Sequence, residues 1–348
     1  MLDGLALWQL FAVFGVAALA VVGAGIVLAR NGDALAERTG LGGLFVGMLL
    51  MAGATSLPEL VTEVSAAATG SPDLALGDQF GSSMANMAIL ALLDLLHRGR
   101  VWPSAGLAHA RVAAVALALS SVVLIGMVMP IELRIGWVGV ESIVVLVGYV
   151  FAAAWIRRGS QRDPARSRAI APVDEGDLIK PTGWGLSQPI RPLRYHVYAF
   201  AGAAVVVLVA APFVALSADG IADQTGIGKT FIGATMLAVA TSLPELVASL
   251  AALQIGAYDL AVGNLFGSNA INATLVFFAD VAYLPGPILG AVGDELLIGG
   301  LGGILLMAIA LGGIVHGART RFERGEPDAI TLLGAYALLL WLLWLGAN

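Results

Sequence analysis

The sequence predicts an all-α polytopic membrane protein, with ten transmembrane helices arranged as two inverted five-helix repeats and both termini outside. Three observations lead there. Of the 348 residues, 59% are apolar and only 12% are charged, where an ordinary soluble chain has about 25% charged residues. The apolar residues fall in runs of roughly 20 with almost no charge inside them, the length a helix needs to cross a hydrocarbon core of about 30 Å. A 42-residue segment also occurs twice, at a constant offset of 186 positions.

Taken in order, the apolar runs between charged or Pro/Gly-rich breaks place spans at 8–28, 43–69, 72–96, 108–129, 136–156, 197–217, 228–254, 258–284, 289–315 and 328–346. The amino terminus, Met1-Leu2-Asp3-Gly4, has no positive charge before its first apolar run, so it reads as a retained span and not as a cleaved signal peptide. Residues 1–156 form the first repeat unit and 197–348 the second. Between them, 157–196 is the one long polar stretch, with eight Lys or Arg residues interleaved with acids, and it reads as a mobile cytoplasmic linker. Sixteen of the eighteen basic residues lie after the first, third, fifth and ninth spans; Arg134 and Lys229 alone fall on the other side. That bias puts the odd-numbered loops in the cytoplasm. His97, His109, His196 and His316 all fall at these cytoplasmic ends and read as headgroup-level anchors. The expected location is a cell inner or plasma membrane, crossed many times.

Several function classes drop out. The chain has no cysteine, which removes disulfides, thiolate metal sites and cysteine nucleophiles. A formal net charge of −6 argues against nucleic acid. No GxxxxGK[ST] loop or HExxH pair is present and every histidine is at the surface, so neither nucleotide-driven pumping nor intramembrane hydrolysis is expected. The expected partners are the lipid bilayer and small inorganic cations, with no cofactor and no enzymatic activity.

The repeat pairs Phe45–Asn86 with Phe231–Asn272, with 21 of 42 positions identical and no gap. The copies occupy the second and third spans and the seventh and eighth. Five spans separate equivalent points, and an odd number reverses direction through the membrane. Inverted repeats with sites at the midplane are the architecture of alternating-access transporters. Apolar drift would keep Leu and Ala and lose the rest, yet Thr55-Ser56-Leu57-Pro58-Glu59 recurs intact as Thr241-Ser242-Leu243-Pro244-Glu245.

These residues carry the expected chemistry. Glu59 lies ten residues before the outer end of its span, about 15 Å deep and near the midplane. Glu245 sits correspondingly in the seventh span. A carboxylate at that depth needs a cation, a proton or water. Pro58 and Pro244 have no amide proton to give the carbonyls of Ala54 and Ala240, which become free ligands. Thr55, Ser56, Thr241 and Ser242 add hydroxyls within a turn of the glutamates. On the following spans, Gly77 with Gly81 and Gly263 with Gly267 permit close helix approach. Ser82 and Ser268 lie at the same depth as the glutamates, with Asn86 and Asn272 one turn on, and all six are expected to converge. Carboxylate, hydroxyl, amide and carbonyl oxygens without nitrogen or sulfur suit Ca²⁺ or Na⁺. Two glutamates neutralise one Ca²⁺ or two Na⁺, which makes the ions competitors.

The paired Thr-Ser-Leu-Pro-Glu and Gly-Asn-x-x-Gly-Ser-Asn segments resemble the α1 and α2 repeats of the cation/Ca²⁺ exchanger superfamily, in particular its prokaryotic Na⁺/Ca²⁺ exchangers. The resemblance implies that Thr55, Ser56, Glu59, Ser82 and Asn86, with Thr241, Ser242, Glu245, Ser268 and Asn272, bind Na⁺ and Ca²⁺ in alternation. Two departures stand out. Many Na⁺/Ca²⁺ members have an aspartate where this chain has Asn272, and the first copy reads Gly77-Asp78-Gln79-Phe80-Gly81-Ser82-Ser83, with a charge at Asp78 and a shorter side chain at Ser83.

Glu63 and Asp78 both lie about 9 Å below the outer surface, six residues from the turn that joins their spans. Their counterparts, Ser249 and Asn264, are neutral. The pair is expected either to form an outer vestibule for cations or protons, or to share a locked proton. The leading functional expectation is Ca²⁺ exchanged for Na⁺ by alternating access. H⁺/Ca²⁺ antiport and, from a different class, a passive cation channel are the alternatives, and the broken-helix repeat disfavours the channel.

Overall fold

The computed structural model describes residues 4–97, 101, 105–129, 133–161, 191–225, 241–317 and 327–346. Among the described residues the secondary structure is helical apart from a two-stranded hairpin. In order, the helices are α1 (Leu7–Thr39), α2 (Gly43–Thr55), α3 (Leu57–Ala68), α4 (Pro72–Leu96), α5 (Leu107–Val128), α6 (Val140–Gln161), α7 (Leu193–Thr225), α8 (Leu243–Gln254), α9 (Tyr258–Ala282), α10 (Leu296–Gly317) and α11 (Pro327–Gly346). Among the described residues, seven helices are long and apolar enough to cross a membrane, and α2 with α3 forms an eighth candidate broken by a 47° bend. The apolar helices α8 and α11 are shorter. The chain is a multi-pass membrane protein.

Several boundaries differ from the sequence expectation. The first span does not stop at 28 but runs to Thr39, because Asn31 and Gly32 are buried against α7 and α9 and so continue the helix past the apolar run. The fifth begins at Val140, not 136, since Arg134–Ile135 and Val138–Gly139 pair as antiparallel strands around Gly136 at φ 68°. The ninth begins at Leu296, after a 3₁₀ turn over Ile288–Gly290. Of the seventh, only the part from Thr241 onward lies within the described residues, so Ala240 falls outside them. The ends of the linker are helical, as α6 reaches Gln161 and α7 starts at Leu193.

Burial sorts the helices into an inner and an outer set. In both α4 and α9, 72% of the central apolar window is buried, against 22% to 50% in the other long spans. α9 packs against α2 through α6 and α8, and its Leu260, Leu265 and Phe266 are fully enclosed. The outer helices turn large apolar side chains outward, as lipid-facing surfaces do: Leu19, Phe151 and Tyr198 are more than 70% exposed.

The two copies fold alike where both are described. Ser56 and Ser242 have nearly the same backbone angles, φ −86° with ψ 6° and φ −85° with ψ 5°. Each precedes a helix with proline in its first turn. After those helices, Gly70 and Gly256 both take φ 81°. Beyond them, Ser71 donates to the Ala66 carbonyl and Ala257 to the Ala252 carbonyl, both at 2.9 Å. This is the left-handed glycine cap that satisfies the last carbonyls of a helix and reverses the chain.

Candidate cation-binding site

The site begins with a break in the second span. Residues Val46–Met51 form a π-helical turn, in which Ala52 donates back to Gly47. Such a turn inserts an extra residue and is often found at functional sites. The helix then stops at Ser56, whose amide still reaches the Ala52 carbonyl at 2.9 Å, and restarts when Leu60 donates to the Ser56 carbonyl at 3.1 Å. Pro58 has no proton to give the carbonyl of Ala54, which is buried within this break. α8 opens in the same way, with Leu246 donating to Ser242 at 3.1 Å.

Close backbone contact brings α2 against α9. A Cβ on Gly267 would lie 2.5 Å from Met48 Cα, and one on Gly47 would lie 2.5 Å from the Leu260 carbonyl oxygen. The expected role of Gly263 and Gly267 in close helix approach is therefore seen directly. Gly77 is looser, with only Leu296 near it, at 3.6 Å.

The polar side chains of the two motifs are all enclosed. Thr55, Ser56, Glu59, Ser82, Asn86, Thr241, Ser242, Glu245, Ser268 and Asn272 are each no more than 2% exposed. Glu245 receives hydroxyls from both copies, Ser56 at 3.4 Å and Ser268 at 3.5 Å, both on Oε1. These are long for O–H···O bonds, whose usual length is about 2.7–2.8 Å, so the hydroxyls stand beside the carboxylate without being consumed by it. Glu59 lies within electrostatic reach of Glu245. Oε2 of each glutamate, the hydroxyls of Ser82 and Ser242, and both amide atoms of Asn272 have no hydrogen-bond partner among the described residues. Leaving so many buried polar atoms unmade is costly unless something else uses them.

Three further side chains join the site that the sequence reading did not assign to it. Thr55 donates to Asn264 Oδ1 at 3.4 Å, and Asn264 donates to Ser249 at 3.0 Å. The convergence expected of Asn86 with Asn272 takes a different form. Asn86 Nδ2 donates to Asn269 Oδ1 at 2.9 Å, while Asn269 donates to the Ser83 carbonyl at 3.1 Å. Asn269 thus fixes the Asn86 amide so that its oxygen is left without a partner among the described residues. The signal was legible, since Asn269 is the residue that Ser83 replaces in the first copy. We predict that Asn269→Ala weakens Ca²⁺ binding by about 10- to 100-fold, the usual cost of losing a group that orients a ligand. Unchanged affinity in a Ca²⁺ titration of the purified variant would refute this.

Among the described residues, no three His, Asp or Glu side chains converge to hold a metal ion. A cation here would draw the balance of its ligands from hydroxyl, amide and carbonyl oxygens. That set fits the hard cations expected from the sequence and not zinc or copper.

Glu63 and Asp78 are also drawn inward. Glu63 is fully buried, and it lies within electrostatic reach of Asp78. Two of the four histidines depart from the anchor expectation. His109 is buried 3.3 Å from Asp259, and His196 is buried with Nδ1 2.9 Å from Asn31 Oδ1. Asp280 at the end of α9 was missed altogether. It accepts hydrogen bonds from the Gly139 and Ile288 amides, at 2.8 and 2.7 Å, and from the Ser142 hydroxyl, so it joins the hairpin, α6 and the 3₁₀ turn.

Comparison with known proteins places this arrangement. A family profile described as sodium/calcium exchanger protein matches residues 9–157 and 195–345. The inner membrane protein YrbG of Escherichia coli K12 is 28% identical over 260 residues, covering 73% of this chain and 74% of YrbG. The sodium/calcium exchanger MaX1 of Methanosarcina acetivorans is 42% identical over a shorter stretch of 64 residues, 18% of either chain. The solved structure of the sodium-calcium exchanger NCX_Mj in 10 mM Na⁺ without Ca²⁺ superposes with a TM-score of 0.66 at 18% identity, over 97% of this chain and 99% of that one. The fold is shared.

Proposed function

The chain belongs to the sodium/calcium exchanger protein family, and from that premise we propose that it exchanges Ca²⁺ for Na⁺ through one midplane site built by both sequence repeats. The observation that carries this reading is Glu245, a fully buried carboxylate flanked by one hydroxyl from each copy and within electrostatic reach of Glu59. Ten spans in two inverted halves, with the termini outside, complete the architecture.

The mechanism follows from charge and ligand type. Glu59 and Glu245 supply two negative charges, enough for one Ca²⁺ or two Na⁺. Thr55, Ser56, Ser82, Asn86, Thr241, Ser242, Ser268 and Asn272, with the Ala54 and Ala240 carbonyls, replace the ion's water with neutral oxygens. Both ions use the same carboxylates, so loading one expels the other. An empty site leaves buried charges unmatched, which penalises the return step without cargo. In exchange, α1 and α7 move past the site helices as one body. They pack along their length and are tied at both ends, by Asn31 with His196 at 2.9 Å and by Gln224 to the Leu5 carbonyl at 2.8 Å. Gly25 of α1 faces Val247 of α8, where a Cβ would come within 2.7 Å, so the two bodies meet on a small residue.

Proton coupling is the second reading. Asn272 stands where many family members have an acid, while Glu63 and Asp78 add titratable groups. The two readings separate in proteoliposomes at matched internal and external pH. Na⁺ loading is expected to drive ⁴⁵Ca²⁺ uptake at least about tenfold above K⁺-loaded controls. Uptake that ignores Na⁺ but follows an imposed pH gradient would assign H⁺ antiport instead.

A further inference from the structure

Glu63 and Asp78 lie one helical turn beyond the exchange site on both walls. Glu63 follows Glu59 by four residues on α3, and Asp78 precedes Ser82 by four on α4, so each is about 6 Å further toward the 69–71 turn and on the same helix face as its neighbour. Three of their four carboxylate oxygens are enclosed without a protein partner among the described residues. Both oxygens of Glu63 and Oδ2 of Asp78 are buried without a hydrogen-bond partner among the described residues, and so is Oε1 of the adjacent Gln79, a residue only 2% exposed.

The second copy shows the same place built from neutral side chains. Its counterparts, Ser249 and Asn264, are fully buried, neutral and bonded to each other at 3.0 Å, and Asn264 also accepts the Thr55 hydroxyl. The backbone around the two positions is the same in both copies, down to the φ of 81° at Gly70 and Gly256. A self-sufficient neutral pair has thus been exchanged for two neighbouring carboxylates within an unchanged frame. Two like charges on facing helices, Glu63 fully buried and Asp78 half-buried with one enclosed oxygen, require a counter-charge. No basic side chain is paired with either of them among the described residues.

We propose that Glu63 and Asp78 form a second cation station, for a hard oxygen-seeking cation such as Ca²⁺, one turn from the exchange site and present in the first copy only. The proposal rests on the reading of the chain as a cation exchanger. The station lies toward the 69–71 turn, which the distribution of basic residues puts outside. It makes the two access routes unequal: an ion entering or leaving past α3 and α4 meets two further charges, and one using the opposite route meets Ser249 and Asn264.

The test is equilibrium dialysis of the purified full-length protein against saturating ⁴⁵Ca²⁺. Wild type is expected to bind two Ca²⁺ per chain. Glu63→Ser with Asp78→Asn, which copies the neutral pair this chain already folds around, is expected to bind one, and adding Glu59→Gln with Glu245→Gln is expected to remove that one. Glu63→Gln alone, which keeps the side chain's shape, should also bind one and stands in should the double variant aggregate. A single Ca²⁺ in wild type that survives Glu63→Ser with Asp78→Asn overturns the station and leaves the exchange site intact, with the pair reduced to sharing a proton. A single Ca²⁺ lost in that variant but kept in Glu59→Gln with Glu245→Gln supports the station and sinks the central reading.

Discussion

Glu59→Gln and Glu245→Gln are each expected to abolish exchange, lowering Ca²⁺ uptake driven by Na⁺ by roughly 30-fold to several thousand-fold. Glutamine keeps the length and the carbonyl oxygen of the side chain while removing one unit of charge, so the loss reports electrostatics and not shape. Removing one partner of a buried, hydrogen-bonded charge pair costs about 2–5 kcal/mol, which corresponds to that range of affinity. The effect is large because Glu59 and Glu245 are 1% exposed or less and water cannot substitute for the lost charge. The double variant is expected to be little worse than either single one, since both carboxylates serve the same ion. Initial rates of ⁴⁵Ca²⁺ uptake in proteoliposomes decide it, with equal reconstitution checked by protein content. Exchange near the wild-type rate in either variant would exclude the two glutamates as the ion's ligands.

Much of this candidate site is legible in the sequence because polar identity is expensive inside a membrane. Thr, Ser, Pro, Glu and Asn repeated at one offset within apolar spans leave few readings, and the ten polar ligand candidates are all buried. Ser56 and Ser268, from opposite copies, reach the same carboxylate oxygen. Pairing across the site was hidden. Nothing in the spacing says that Asn86 meets Asn269 and not Asn272, or that Thr55 meets Asn264, because such contacts depend on helix rotation and crossing. Span ends were misplaced where tertiary contact overrode composition. Asn31 and Gly32 look like a helix stop, yet α1 continues through them because His196 and Leu260 cover them. Asp280 was passed over for a similar reason. An acid near the end of an apolar run reads as interfacial, and only the fold shows two backbone amides turned toward it.

Gly267→Ala should displace α2 from α9 and cost about 1–3 kcal/mol, the usual penalty for overpacking. The added methyl would lie 2.5 Å from Met48 Cα and 2.6 Å from its carbonyl oxygen. Those are backbone atoms and cannot rotate away, so the helices must separate by about 1 Å to regain ordinary contact. Gly47→Ala strains the same contact from the other side, at 2.5 Å from the Leu260 carbonyl oxygen and 3.1 Å from the Asn264 nitrogen. Asn264 accepts from Thr55 at 3.4 Å, a bond already near its limit, so the separation pulls a candidate ligand out of place. Both variants are therefore expected to lose Ca²⁺ affinity along with stability. Gly53→Ala, on α2 itself, meets only Ile271 Cδ1 at 3.8 Å and should leave Ca²⁺ affinity unchanged while raising stability by up to about 1 kcal/mol, which separates packing from helix propensity. Combining Gly47→Ala with Gly267→Ala should cost less than the two added together, because the gap opened for one methyl admits the other. Thermal unfolding in detergent and Ca²⁺ titration of the four variants and the wild type provide the check. Full additivity, or a Gly267→Ala protein as stable and as tight as wild type, would show that the close approach of α2 to α9 does not hold the site.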